Sequence, residues 1–225
     1  LIILPALNIP AVMTGRRTSP VDGLNLNRTY PGDPAGSLSQ QISAFMCDVV
    51  YPLGDAFVDL HSGGSSLNII PSAIVEPAPN EEHHRRNVEA VLAFDAPLTV
   101  VIGNLGETRT STASSVRAGL TTVGTEMGGG GTVGIDALRI CRSGVRNVLA
   151  HFGLMERTAP EACKEERTIL EIPGQKGYVF ATGDGIFEPF HENGTTVSAG
   201  QPAGRIHFPD DPGRAPAELV YEQDG

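Results

Sequence analysis

The sequence predicts an α/β domain followed by a small all-β region, and three observations carry that reading. Over the first 157 residues short apolar runs alternate with longer segments of helical period, the pattern of a sheet with crossover helices. Apolar residues make up 40% of the 225-residue chain and charged residues 19%, a balance that can bury a core. From residue 158 to residue 225, glycines such as Gly174, Gly177, Gly183, Gly185 and Gly194 punctuate short apolar segments, a β-hairpin texture. The domains are accordingly read as 1–157 and 158–225.

Residues 1–4, all Leu or Ile ahead of Pro5, read as a buried strand without the basic flank of a secretory signal. A loop rich in Asn, Pro, Gly and Arg follows over residues 5–36, and loops of that length in compact domains tend to carry function. Ser37 and Gln40 have capping-box spacing ahead of an apolar face containing Leu38, Ile42, Phe45 and Met46, so a helix is expected over 38–51, ended by Pro52 and Gly54. Residues 56–60 form a compact apolar strand with one acid, Asp59, and run into His61-Ser62-Gly63-Gly64. Asn80 with Glu81 and Glu82 starts another helix, whose apolar face carries Val88, Val91, Leu92 and Phe94. Residues 98–102 read as a buried strand and residues 110–119 as a helix or lid. Residues 120–127 read as a further strand that delivers Glu126 into Gly128-Gly129-Gly130-Gly131. Ile135, Leu138, Cys141, Val145, Val148 and Phe152 mark a last helical stretch.

Composition excludes several functions. The 16 Lys and Arg against 26 Asp and Glu leave a formal charge of 16 − 26 = −10, with the basic residues dispersed, so nucleic acid is not an expected partner. No apolar run approaches the roughly eighteen residues of a membrane span. Cys47, Cys141 and Cys163 are an odd count with no C-x-x-C spacing, which argues against a disulfide framework or a thiolate zinc site and fits a reducing cytoplasm.

The candidate chemistry gathers at strand ends. His61 lies at the carboxyl end of an expected parallel strand, where open α/β sheets place ligands, and neutral imidazole is a common zinc ligand. A structural histidine satisfied by its neighbours is the competing reading. Glu126 ends a second strand beside four glycines that lack the Lys-Ser or Lys-Thr of a Walker loop, so their expected use is a sharp turn or a close backbone approach. An unpaired buried carboxylate is costly, which turns Glu126 toward a polar cleft, in a structural or a catalytic role. In the long loop, Arg16-Arg17 and Asn25-Leu26-Asn27-Arg28 combine guanidinium forks with directed amides. Asn27 and Arg28 suit a carboxylate, although a loop arginine can equally be solvated, and Asp22 can pair with Arg17 or Arg28 to hold the loop. His83-His84 are read as solvated, because helical neighbours point about 100° apart. His151 is read as a core-edge residue, and His191 and His207 as having no metal-like partners nearby.

Taken together, Asn8-x-Pro10-Ala11, Arg17-x-x-Pro20-x-Asp22-Gly23-x-Asn25-Leu26-Asn27-Arg28, Asp59-Leu60-His61-Ser62-Gly63-Gly64 and Thr125-Glu126-Met127-Gly128-Gly129 resemble the succinylglutamate desuccinylase/aspartoacylase family, over most of the chain and in order. The resemblance implies a zinc-carboxypeptidase-like mixed sheet flanked by helices, a small C-terminal all-β domain and zinc-dependent cleavage of a linear amide. Within the family, the loop and the four-glycine run are most similar to the branch that deacetylates N-acetyl-L-2,4-diaminobutyrate in ectoine degradation. The same resemblance makes His61 a zinc ligand, Glu126 the general base that activates the attacking water, and Arg17 the group that polarises the scissile carbonyl. Asn27 with Arg28 would then grip the carboxylate of a small acylated amino acid. The family draws its first two zinc ligands from a His-x-x-Glu motif upstream of the strand that residues 1–4 resemble. The expectation is therefore a sequence that starts partway into the native protein, or a truncated copy unable to hydrolyse. Residues 177–204 are similar to part of a biotinyl/lipoyl-type sandwich that stops before it closes. Lys176 lacks a Met-Lys-Met setting, so the region is read as a structural or substrate-gating appendage. Alternatives are a sister deacylase for a succinyl or other acyl group, a carboxypeptidase, or a metal-free carboxylate-binding protein. Oligomeric state is left open, a homo-oligomer being allowed.

Overall fold

A computed structural model describes residues 1–103, 106–156, 168–172 and 174–225; Cys163 and residues 157–167 lie outside the described residues. The chain forms two compact units, Leu1–Glu171 and Ile172–Gly225. The interval between that division and the 157/158 boundary read from composition falls mostly outside the described residues.

The first unit is a mixed sheet. Strands β1 (Ala56–Asp59), β2 (Asn68–Val75), β3 (Leu98–Ile102), β4 (Thr121–Gly129) and β5 (Thr168–Ile172) lie in the order β1-β4-β2-β3-β5. β1 runs parallel to β4 and β2 parallel to β3, while β2 and β4 are antiparallel. Helices cover both faces. Side chains alternate along a strand, so Ala73, Val75 and Val123 point to one face, where they pack with Ala90, Val91 and Phe94 of α3 (Glu81–Phe94) and Ile140 and Val148 of α5 (Ile135–His151). The close approach of these two helices depends on Gly144, because a Cβ there would lie 2.3 Å from the Phe94 ring. The opposite face carries Phe57 against Tyr51, Tyr30 and Met46, and the Thr122 hydroxyl against that of Ser115 on α4 (Ser111–Arg117) at 2.8 Å.

Local sequence explains the ends of these elements. Asn80 caps α3 by accepting from the His83 amide at 2.9 Å, and Thr110 caps α4 through the Ala113 amide at 3.1 Å. Gln40 accepts from the Ser37 amide at 2.9 Å to open α2 (Leu38–Phe45), which continues as a π turn over Met46–Val50 and a 3-10 turn at Pro52. Asp22 pairs with neither Arg17 nor Arg28 but reaches this helix start, accepting from the Ser39 amide at 2.7 Å and from the Ser37 and Ser39 hydroxyls. Burial acts to raise the Asp22 carboxyl, but the Ser39 and Leu24 amides and the two hydroxyls outweigh it and hold the group below its usual range. The second unit is an antiparallel sheet of β6 (Ile186–Pro189), β7 (Pro202–His207) and β8 (Ala217–Val220), with Ile206, Phe208 and Leu219 as its core.

Further expectations are corrected. Residues 1–4 form no strand: they have no ladder partner among the described residues, and Leu1 and Ile3 are 84% and 70% exposed. The long loop contains a short helix, α1 (Ile9–Thr14), capped by the Asn8 side chain. His83 is buried rather than solvated, its Nε2 donating to the Leu120 carbonyl at 2.8 Å, whereas His151 is exposed at the end of α5. β2 has no counterpart in the sequence reading, because Pro71 and two polar residues break its apolar pattern.

Candidate active site

Parallel pairing of β1 and β4 brings the carboxyl ends of both strands to one edge of the sheet, and with them Asp59, His61 and Glu126. The ladder continues past β1, since the Met127 amide donates to the His61 carbonyl at 2.8 Å. The Thr125 hydroxyl accepts from the His61 amide at 3.0 Å and donates to the Asp59 carbonyl at 3.1 Å. His61 is thus fixed at its backbone from two directions.

Asp59 and His61 are two residues apart, so their side chains share a face. Asp59 Oδ1 lies 3.7 Å from His61 Nδ1, and Asp59 Oδ2 accepts from the Ser111 hydroxyl at 2.5 Å. Burial acts to raise the Asp59 carboxyl, but His61 and Ser111 outweigh it and hold the group below its usual range. Asp59 in turn raises His61, which burial opposes; Glu126 adds to the rise and Arg17 subtracts from it. Nδ1 is the ring nitrogen on the Asp59 side, at a distance longer than a hydrogen bond, which leaves Nε2 as the nitrogen available to a ligand.

Glu126 is raised chiefly by burial, with the cations His61 and Arg17 opposing and Asp59 reinforcing the rise. Its Oε2 is buried without a hydrogen-bond partner among the described residues. A carboxylate oxygen held that way is costly unless something else occupies the position, so the group is suited to take a proton from a reactant. Arg17 is exposed, and its charge opposes the rise of both His61 and Glu126.

The glycine runs stitch the two strand ends together. The Gly63 amide donates to the Gly128 carbonyl at 3.0 Å, Gly130 to Leu67 at 2.9 Å and Gly131 to Gly64 at 2.8 Å. Gly129 has φ +152°, and a Cβ there would fall 1.9 Å from the Leu67 carbonyl oxygen, so no other residue fits this crossing. The run serves as the turn and close approach that the sequence suggests.

Asn27 makes a contact that the sequence reading does not include. The Asn25 side chain shapes a 3-10 turn over Leu26–Arg28, and Asn27 Oδ1 accepts from the Ser111 amide at 2.8 Å. Its oxygen therefore anchors α4, and its NH₂ is the part that can donate to a ligand. Arg28 turns toward the Asn27 carbonyl at 2.6 Å and lies 3.6 Å from Glu107, which Arg109 grips through Nε and Nη2. Ser111 is a site residue that the sequence reading misses: its amide meets Asn27, its hydroxyl meets Asp59, and its carbonyl accepts from Tyr51 at 3.1 Å. It lies 52 positions from Asp59, and nothing local to it signals the contact. The Asp-x-His spacing, by contrast, carried enough information to find Asp59. Among the described residues no three His, Cys, Asp or Glu side chains converge as a metal cage.

Residues 1–152 match the succinylglutamate desuccinylase/aspartoacylase catalytic domain. The chain is 38% identical over 224 residues to N-alpha-acetyl-L-2,4-diaminobutyric acid deacetylase of Halomonas elongata, spanning all of itself and 65% of that protein's length. The product-bound ectoine utilization protein EutE (DoeB) of Ruegeria pomeroyi is 34% identical with a TM-score of 0.93, over 100% of this chain and 68% of that one. A succinylglutamate desuccinylase/aspartoacylase of Rhodobacter sphaeroides is 39% identical with a TM-score of 0.88, over 99% and 67%. The mixed sheet flanked by helices, with its small β unit, is the architecture these relatives share with it, and the chain belongs to the succinylglutamate desuccinylase/aspartoacylase family.

Proposed function

We propose that the protein is a zinc-dependent deacylase that removes the acetyl group from N-acetyl-L-2,4-diaminobutyrate. The observation that carries the reading is the unpartnered, buried carboxylate oxygen of Glu126 beside the Asp59–His61 pair and Arg17. The substrate follows from the deacetylase relative, at 38% identity over the chain.

Of the three protein ligands usual for a catalytic zinc, the described residues would supply one, the His61 imidazole, with a carboxylate 3.7 Å from its Nδ1. Bound there, zinc supplies Lewis acidity and lowers the pKa of water. Glu126 takes the proton of the attacking water and returns it to the leaving amine. Arg17 stabilises the oxyanion that develops on the scissile carbonyl, a charge present only in the transition state. The Asn27 NH₂ and Arg28 hold the carboxylate of the acylated amino acid, and Arg28 exchanges its 3.6 Å contact with Glu107 for that ligand. The unpaired Cys47 and Cys141 support a reducing, cytoplasmic setting.

Acetate release from N-acetyl-L-2,4-diaminobutyrate, compared with N-acetylaspartate and a succinylated amino acid, tests the assignment. Preference for the first is expected, and Arg28→Ala should raise its KM about tenfold or more. Preference for a succinyl donor would move the protein to a sister specificity. Binding of the product amino acid without metal or turnover would favour a carboxylate-binding protein.

A further inference from the structure

The sheet places a third polar side chain in the row of His61 and Glu126. Ser72 of β2 is the register partner of Glu126 on β4. Directly opposed residues of an antiparallel pair project from the same face, with Cβ atoms about 4.5–5.5 Å apart. Ser72 is 1% exposed, and its hydroxyl oxygen is buried without a hydrogen-bond partner among the described residues, as is Glu126 Oε2. They do not bond each other in this structure, yet as a donor and an acceptor at paired positions they are complementary.

This pairing is set by an irregularity. Ile69 pairs with Gly128 and Ser72 with Glu126, so three steps on β2 span two steps on β4, the signature of a bulge. In unbroken register Pro71 would face Glu126. The bulge instead absorbs a residue that has no amide to donate and sets Ser72 opposite Glu126.

We propose that Ser72 is a positioning residue for Glu126, its hydroxyl donating to the carboxylate directly or through one water and fixing which oxygen faces the reactants. The inference rests on the reading of Glu126 as general base. It is tested on protein from the full open reading frame by kinetics and by a crystal structure. Ser72→Ala should lower kcat about tenfold, the loss of one hydrogen bond, with KM within about twofold. Zinc content and melting temperature should stay at wild-type values, and Ser72→Thr, which keeps the hydroxyl, should restore kcat. The wild-type crystal structure should show Ser72 Oγ bonded to the Glu126 carboxylate or to a water shared with it. Unchanged kcat in Ser72→Ala, equal loss in the Ala and Thr variants, or a Ser72 hydroxyl bonded elsewhere would overturn the proposal. A wild-type protein that shows the Ser72–Glu126 bond but turns over no acylated amino acid would instead reject the functional reading and leave the pairing standing.

Discussion

At the residue scale, buried polar groups without a partner among the described residues stand out. Glu126 is the clearest, because its buried carboxylate oxygen, without a partner among the described residues, costs stability that no structural contact offsets. Glu126→Gln keeps its shape and removes its basicity, so kcat should fall about 10²–10⁴-fold with binding of the acylated amino acid retained, as steady-state kinetics and calorimetry would show. A drop of only a few fold would remove it from the general-base role. Ser111 acts at one remove, through Asp59, on His61. Ser111→Ala should weaken zinc binding about tenfold in competition with a chelator, the order of effect seen when a group behind a metal ligand is lost. Unaltered affinity would limit Ser111 to holding α4.

At the scale of elements, Gly144 decides how close α3 and α5 come. Gly144→Ala would drive a methyl group into the Phe94 ring and push α3 from α5, costing about 1–3 kcal/mol in thermal or denaturant unfolding while leaving the sheet edge in place. A neutral effect would mean that the helices part freely. The small β unit offers a test by pH. Hydrogen bonds from Arg205 and then His207 hold Glu188 down at about 2. A carboxyl depressed in the folded state stabilises above its ordinary value of 4.5, and that contribution is lost as pH falls toward about 2. An NMR titration should therefore find the Glu188 midpoint well below 4.5, with β6 and β7 holding together through the range where ordinary glutamates protonate; a midpoint near 4.5 would show that the Arg205 and His207 contacts do not persist in solution.

At the scale of the whole molecule, the sequence disclosed what local chemistry enforces and hid what only topology decides. The caps at Asn80 and at Ser37 with Gln40 and the apolar runs of β1, β3 and β4 were visible because each depends on residues a few positions apart. Strand β2 was not, since a bulge at Pro71 disrupts its alternation, and with it went the antiparallel pairing at the centre of the sheet. Residues 1–4 show the converse error: an apolar run looks like a strand, yet a strand also requires a partner, and these residues have none among those described. In the site, His61 and Glu126 could be found as strand ends, while the roles of Asn27 and Ser111 depend on a contact across 84 positions that no local pattern encodes. The charge of −10 bears on encounter rather than fold. The most direct test of the central claim measures zinc content and N-acetyl-L-2,4-diaminobutyrate deacetylation together, on protein from the full open reading frame and on its Glu126→Ala and His61→Ala variants. The account predicts about one zinc per chain, activity abolished in both variants, and metal retained in Glu126→Ala but lost or weakened in His61→Ala. A protein that deacetylates without zinc, or whose activity survives either substitution, would contradict it.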